Sequence, residues 1–221
     1  MTPSPDSLTL LLLCSQLGLN DDSAKPLTLR EWNPLVRRLQ AASLRPSDLL
    51  PLSESDLRSR LDLDTELATR ISQLLSRTDE LQRALTHLAS LGIFPLTRAD
   101  SDYPEKYRQR LKDSAPAVLF YAGEKALLGQ PGIAVVGSRH LDEAGQACAK
   151  FVGNACGMSG QVLYSGGAKG VDTLSAESAL EARGTAVSVL ADSLARAAKS
   201  QKEALSRGDA CLVTPYSPSA G

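Results

Sequence analysis

The sequence has few aromatic residues, few histidines and almost no net charge. Aromatic side chains make up 4% of the 221 residues, and the formal charge is −1 with an isoelectric point near 6.1. Proteins that bind nucleic acid through bulk electrostatics have a basic domain, which this composition does not provide. We therefore expect any anionic ligand to be held by a small number of locally placed cations.

Metal-ligand and disulfide patterns are also missing. The four cysteines include no C-x-x-C pair, and there are only two histidines, so we predict that the protein has no metal site. We expect the cysteines to be free thiols, buried in a protein of the reducing cytosol. The apolar run Leu8–Leu13 lacks the basic flank and cleavage site of a signal peptide, and it is too short to span a bilayer. We expect a cytoplasmic protein with no membrane contact, in which this run is a core helix.

Residues 1–91 are predicted to form a small all-α domain. Capping-box patterns at Thr28 and at Ser53 precede apolar residues at helical spacing. Asp64 is predicted to cap one long helix that continues to Leu91. The helical pattern ends there, so the domain boundary is placed after residue 91.

Residues 92–221 alternate short apolar runs with helical segments. The runs at 133–136 and 161–164 have no polar alternation, which predicts strands buried on both faces of a parallel sheet. Small and apolar residues recur at helical spacing over 143–158, so the unit is a βαβ crossover. The following elements are predicted as helices at 171–183 and 199–206 and strands at 185–190 and 210–214. The predicted fold class is α/β, with a Rossmann-like parallel sheet.

Each of the first two strands ends in a glycine-bearing turn with one cation, Arg139 in the first turn and Lys169 in the second. Glycines let the backbone approach a ligand with its amides free, and each following helix adds partial positive charge at its N-terminus. Ligands of open α/β sheets bind at this carboxyl edge. We therefore predict that these two turns bind an anion.

Asp172 lies near this site and is predicted to be structural. It falls in the first turn of a helix, where a carboxylate would compete with a bound phosphate but would cap or brace the turn well. No nucleophile with an adjacent base, carboxylate pair or metal cluster accompanies the turns. We therefore predict no catalytic residue and no cofactor.

The two turns resemble those of the DNA-processing protein A (DprA/Smf) family. Residues 136–139 are similar to its V-G-S-R turn, and residues 165–172 are similar to its S-G-x-A-x-G-[IV]-D turn. In the helix that follows, Ala176 stands where the family usually has histidine. Three further stretches resemble the family: Asp102–Pro104, Ala115–Gly123 and Gly184–Leu190.

The resemblance implies single-stranded DNA binding, with a DNA phosphate held between the two turns. The residues that it implies for this phosphate-binding site are Gly137, Ser138, Arg139, Ser165, Gly166, Gly167, Lys169 and Gly170. It also implies loading of the recombinase RecA in recombination and natural transformation, and a homodimer. The family continues into an R-N-[RK] motif and further strands, so the α/β domain is expected to be truncated at residue 221. The helical domain resembles helix-hairpin-helix or sterile-alpha-motif modules, in which Arg37 and Arg38 would contact DNA; packing or oligomerisation is the alternative role.

Two other functions match parts of the pattern. A nucleotide-binding sensor or a phosphoribohydrolase-like enzyme would share the G-G-x-x-G turn at residues 166–170, and its second motif would fall beyond the fourth strand. A dinucleotide-dependent oxidoreductase would need G-x-G-x-x-G in the first turn, where residues 137–142 supply one glycine. The first turn therefore favours the DNA-binding interpretation.

Overall fold

The computed structural model describes residues 3–20 and 24–219. By its internal contacts the chain divides into two units. The helical unit runs to Ala89 and includes Pro95–Val118, and the α/β unit comprises Ser90–Phe94 and the chain from Leu119 onward. No helix among these described residues reaches the length and hydropathy of a membrane span.

The helical unit is built on amphipathic and apolar helices around a leucine-rich core. Leu10–Leu13 is buried in the first helix, and Trp32 is buried in the second. The predicted start signals are confirmed, because Glu31 accepts a hydrogen bond from the Thr28 amide at 2.8 Å, and Asp64 accepts one from the Leu67 amide at 2.8 Å. The helices of this part are α1 Pro5–Cys14, α2 Leu29–Ala41, α3 Glu54–Leu61, α4 Thr65–Leu75 and α5 Thr78–Ser90, with a 3₁₀ turn at Pro46–Leu49.

The prediction of one long helix after Asp64 was wrong, because the chain breaks between α4 and α5 at Arg77. This arginine is 7% exposed, and its guanidinium donates to the carbonyl oxygens of Leu12, Ser15 and Leu17. These oxygens lie in the last turn of α1 and just beyond it, where carbonyls have no intrahelical partner. A distant contact therefore sets the break, and no local glycine or proline predicts it.

The α/β part contains a six-stranded sheet in the order β1-β2-β6-β5-β4-β3. Strands β3 to β6 run parallel to one another, and β2 is antiparallel to β6. This confirms the predicted α/β, Rossmann-like architecture. From residue 93 onward the elements are β1 Ile93–Thr97, α6 Glu105–Leu111, β2 Val118–Gly123, β3 Gly132–Ala134, α7 Glu143–Met158, β4 Val162–Ser165, α8 Val171–Glu181, β5 Ala186–Val189, α9 Leu194–Ser200, α10 Lys202–Arg207 and β6 Ala210–Thr214. Of these, α6 belongs to the helical unit.

Small residues form the core between the parallel strands and their helices. Leu163 of β4 and Ala186 of β5 pack against Cys156 of α7 and against Ala176 and Ala179 of α8. Successive right-handed crossovers place α7 and α8 on the same face of the sheet, where short side chains let the helices approach closely. This packing brings the start of α8 beside the carboxyl end of β3.

The prediction that the first parallel strand is buried on both faces was wrong. Each residue of β3 is exposed, with Ile133 at 45%, and Val136 just beyond it is 74% exposed. β3 is the last strand in the sheet order, and α7 likewise exposes Phe151 at 74% and Met158 at 78%. An apolar run indicates a strand, but its sequence does not say whether that strand is central or at an edge.

Two smaller expectations also change. The helix predicted over 199–206 is divided into α9 and α10. The first, α9, begins after Ser193, whose hydroxyl accepts a hydrogen bond from the Arg196 amide at 3.3 Å. The break between the two helices falls at Gln201, which is non-helical. The four cysteines are unpaired, but they are not all buried, since Cys148 of α7 is exposed.

Candidate functional site

The two glycine-bearing turns lie side by side and are in direct contact. They follow β3 and β4, which pair in parallel with Ile133 opposite Leu163. The Val171 amide at the start of α8 donates to the Ser138 carbonyl oxygen at 3.1 Å. Gly170 has φ +89°, and a Cβ there would lie 2.2 Å from the same oxygen. This position therefore requires glycine for both its conformation and its close approach to the first turn.

Asp172 bridges the two turns with one carboxylate. It is 4% exposed and accepts hydrogen bonds from the amide of Gly137 at 3.2 Å and from the amide of Gly166 at 2.9 Å. A Cβ at Gly166 would lie 2.8 Å from the carboxylate, so the contact needs the bare backbone there. The amides of Gly137 and Gly166 thus already donate to Asp172, and a bound anion would have to accept from other backbone amides.

The amides left open form a cradle between the turns. Among the described residues, the backbone N–H groups of Ser138 and Arg139 in the first turn, and of Ala168, Lys169 and Gly170 in the second, donate to no protein acceptor. The second turn thus offers three consecutive amides directly before α8, a helix of 11 residues. Successive free N–H groups at a helix N-terminus are a typical anion-binding arrangement. Ala168 was not among the predicted site residues, although the S-G-x-A-x-G spacing places its amide inside the second turn.

The two predicted cations share one cavity. Arg139 and Lys169 are exposed, and with Gly170 they line a cavity of about 380 Å³ whose wall includes Glu177 of α8. Within the part of the chain that the structure describes, neither cation forms an ion pair. The hydroxyl of Ser138 is engaged locally, because it donates to the His140 carbonyl oxygen at 2.6 Å and accepts the His140 amide at 3.1 Å. Ser138 can therefore offer a ligand its amide but not its hydroxyl.

Only three of the eight predicted residues line this cavity; the other five, Gly137, Ser138, Ser165, Gly166 and Gly167, do not. Ser165 is buried, and its hydroxyl accepts the Gly167 amide at a long 3.4 Å. Gly167 lines a different cavity of about 900 Å³ on the other side of α8. In the described residues, no group of three or more histidine, cysteine, aspartate or glutamate side chains is arranged to hold a metal ion.

The arginine pair of the helical unit is occupied by protein contacts. Arg37 forms an ion pair with Asp113, and Arg38 donates to the carbonyl oxygens of Leu61, at 3.0 Å, and of Asp62. Arg38 thereby joins α2 to the end of α3. These contacts favour the packing role over a DNA-binding role for this pair.

Comparison with a solved structure supports the overall fold. The X-ray structure of DNA processing protein A from Streptococcus pneumoniae matches with a TM-score of 0.63 at 21% identity, covering 100% of this chain and 70% of that one. DNA processing protein A from Helicobacter pylori, described for its single-stranded DNA binding mode, gives a TM-score of 0.45 at 20% identity and 58% coverage of each chain. A comparison with curated protein sequences gave no significant match.

A family model provides the decisive comparison. It describes DNA recombination-mediator protein A and matches residues 95–220, which is more than half of the chain and includes both turns and the bridging Asp172. The chain therefore belongs to the DNA recombination-mediator protein A family.

Proposed function

We propose that the protein acts in DNA recombination by binding single-stranded DNA, and that it holds a backbone phosphate between its two turns. The observation that carries the proposal is the cradle of open amides at Ser138, Arg139, Ala168, Lys169 and Gly170, with two unpaired cations beside it. A phosphate would accept from the amides and meet the positive end of α8.

The two cations have different roles in the proposal. The Arg139 guanidinium is planar and can hold two phosphate oxygens at once, whereas the Lys169 ammonium acts as a compact point charge. Because the whole chain has a formal charge of −1, the affinity comes from this site and not from a general basic surface. We therefore expect few phosphates to be neutralised per bound protein.

Family membership supports finer functions that belong to the same proposal. They are loading of RecA onto the bound strand, self-association as a homodimer, and a cytoplasmic, non-enzymatic role. A pull-down of RecA with DNA-loaded protein tests the first, and sedimentation of the free protein tests the second. Failure to retain RecA, or a monomer at every concentration, would contradict them.

A nucleotide sensor or nucleotide-processing enzyme is the second candidate. It is favoured by the cavity of about 900 Å³ beside Gly167, which is large enough for a mononucleotide next to the cradle. In this case a free nucleotide, and not a DNA strand, would occupy the two turns. Competition with ATP separates the two candidates.

The test is fluorescence anisotropy with labelled oligo-dT, a matched duplex and ATP as competitor. We expect the single strand to bind more tightly than the duplex, with log affinity falling against log salt at roughly −0.7 per neutralised phosphate. Arg139→Ala and Lys169→Ala should each weaken binding by about 1–3 kcal/mol, as for a hydrogen bond to a charged group.

Matched controls are Arg30→Ala and Lys150→Ala, which remove exposed cations outside the cavity. They should leave the affinity within about 0.5 kcal/mol of wild type. Equal losses in all four variants would indicate non-specific charge binding. Displacement by ATP, with no dependence on oligonucleotide length, would favour the nucleotide candidate instead.

A further inference from the structure

A second cavity shares a wall with the phosphate cavity. It lies between α8 and α10, has a volume of about 900 Å³, and is called the α8–α10 crevice below. Thr173 and Glu177 of α8 line both cavities. Ser188 at the end of β5 also lines the crevice, and it pairs in register with Ser165, the residue that begins the second turn. A ligand bound at the turns is therefore adjacent to this crevice.

The crevice presents polar groups that the protein leaves unused. Ser188 is 4% exposed, and within the described chain its hydroxyl has no hydrogen-bond partner. Glu177 and Glu181 of α8 are exposed and form no ion pair with any described residue. Among the described residues, the fully buried polar side-chain atoms without a partner belong to arginines, so the Ser188 hydroxyl is accessible from the crevice. Ser188 can therefore hydrogen-bond with a ligand there.

The opposite wall does not supply compensating positive charge. Arg207 is held by Glu203 at 2.8 Å and by Asp209 at 2.6 Å, so its guanidinium is already neutralised. On the α8 side the exposed cation Arg183 also lines the crevice, but Glu177 and Glu181 outnumber it, so the open side chains there carry a net negative charge. A phosphate would be repelled there, whereas a group with N–H donors would be attracted.

The two adjacent cavities together have the polarity of a nucleotide. The turns provide cations and open amides for a phosphate, and the crevice provides acceptors for the N–H groups of a base. We propose that the α8–α10 crevice receives a base of the bound single strand and that Glu177 accepts a hydrogen bond from its exocyclic amine. This inference rests on the proposed function and specifies which part of the strand faces α8.

Two consequences follow from the chemistry of the bases. Cytosine, adenine and guanine carry an exocyclic amine that can donate to a carboxylate. Thymine has one N–H group, which lies between two carbonyl oxygens, and a carboxylate would repel these oxygens. Amine-bearing bases should therefore be preferred over thymine. In a duplex these amines are already paired, so the same contact would favour single strands.

The experiment compares oligo-dC with oligo-dT of equal length, because both are pyrimidines. We expect wild type to bind oligo-dC about five- to tenfold more tightly, as for one hydrogen bond to a charged acceptor at a partly exposed site. Glu177→Ala should bring the ratio of the oligo-dC affinity to the oligo-dT affinity to about one. It should not weaken the binding of oligo-dT, because the substitution removes a carboxylate near the phosphate. Oligonucleotides of N4,N4-dimethylcytosine should bind wild type like oligo-dT.

Glu66→Ala is the matched control, since Glu66 is an exposed glutamate of α4 and should keep the ratio of wild type. Equal binding of oligo-dC and oligo-dT by wild type, or an unchanged ratio in Glu177→Ala, would overturn the inference. If the inference were overturned but Arg139→Ala still weakened the binding of both oligonucleotides, the proposed phosphate site would be supported and only the role of the crevice would fail. If Arg139→Ala and Lys169→Ala left both affinities unchanged, the proposed function would fail and this inference with it.

Discussion

The helical unit and the α/β unit each contain cations that show a different use. In the helical unit, Arg77 is buried against backbone carbonyls, Arg70 pairs with Glu31, and Arg38 joins two helices. In the α/β unit, Arg139 and Lys169 face a shared cavity beside amides that are also without partners. Cations that complete the protein's own hydrogen bonding are structural, and those left open beside open amides mark a binding site.

The units differ in the same way in their apolar surface. The helical unit buries Leu10–Leu13 and Trp32. The α/β unit exposes Ile133 on its edge strand, together with Phe151 and Met158 on α7. The large apolar side chains exposed above 70% thus lie in the α/β unit, whereas those of the helical unit stay below 50%. Four predictions test this comparison.

The largest effect is expected for Arg77→Ala. It would leave several buried carbonyl oxygens unpaired and a void beside α1, so we expect the helical unit to lose about 3 kcal/mol of stability. Trp32 is the single tryptophan and is buried in this unit, so its fluorescence during urea unfolding measures the change. Arg83→Ala, which breaks an exposed ion pair with Glu80, is the control and should change stability little. Equal stability of both variants would contradict a structural role for Arg77.

Asp172→Ala should destabilise the α/β unit by about 2 kcal/mol, because the buried amides of Gly137 and Gly166 would lose their acceptor. Oligonucleotide affinity should fall as well, since the two turns would no longer be held together. Circular dichroism during urea unfolding, combined with anisotropy, measures both effects. Asp172→Asn keeps one acceptor oxygen and should fall between wild type and alanine. An increase in DNA affinity would mean that the carboxylate competes with phosphate and does not brace the site.

Alkaline pH should weaken the α/β unit through Cys211. Burial raises the pKa of this thiol to about 12 from its ordinary value of 9.0. The unfolded chain therefore releases the proton first, so stability is fully present below pH 9 and is lost as the pH rises towards 12. We expect a loss of about 1 kcal/mol between pH 8 and pH 10, at 1.36 kcal/mol per pKa unit. Urea unfolding of Cys211→Ala at both pH values should show a smaller loss; an identical loss would assign the effect to other groups.

The smallest effect is expected for Arg37→Ala. Its ion pair with Asp113 is exposed on both sides, and exposed pairs contribute little because water and salt screen them. Stability should change by less than about 0.5 kcal/mol. Oligonucleotide affinity should not change, because Arg37 is engaged with the protein. A clear loss of DNA binding would give the helical unit a direct role and remove the contrast between the units.

Several local features were predictable from the sequence alone. The capping residues Thr28, Ser53 and Asp64 start helices where the pattern placed them, because a cap bonds amides only two or three positions away. The turns after β3 and β4 were also located correctly, since glycine and a following helix are local signals. The phosphate-binding role assigned to those turns stays a prediction.

Other features depended on contacts between residues far apart in sequence. The exposure of β3 follows from its place in the sheet order, and the break at Arg77 follows from carbonyl oxygens about 60 positions away. The bridge from Asp172 to Gly137 spans 35 positions, and it decides which amides remain open. The sharing of Glu177 between two cavities likewise depends on helix packing.

The sequence by itself determined most of the helices, the strands and the two cation-bearing turns, because these depend mainly on backbone conformation and neighbouring side chains. Only the tertiary structure decided which amides, cations and apolar groups stay without a partner. The physical reason is that hydrogen bonding and burial are satisfied across the whole fold, so the groups left over can be identified only when every other contact is in place.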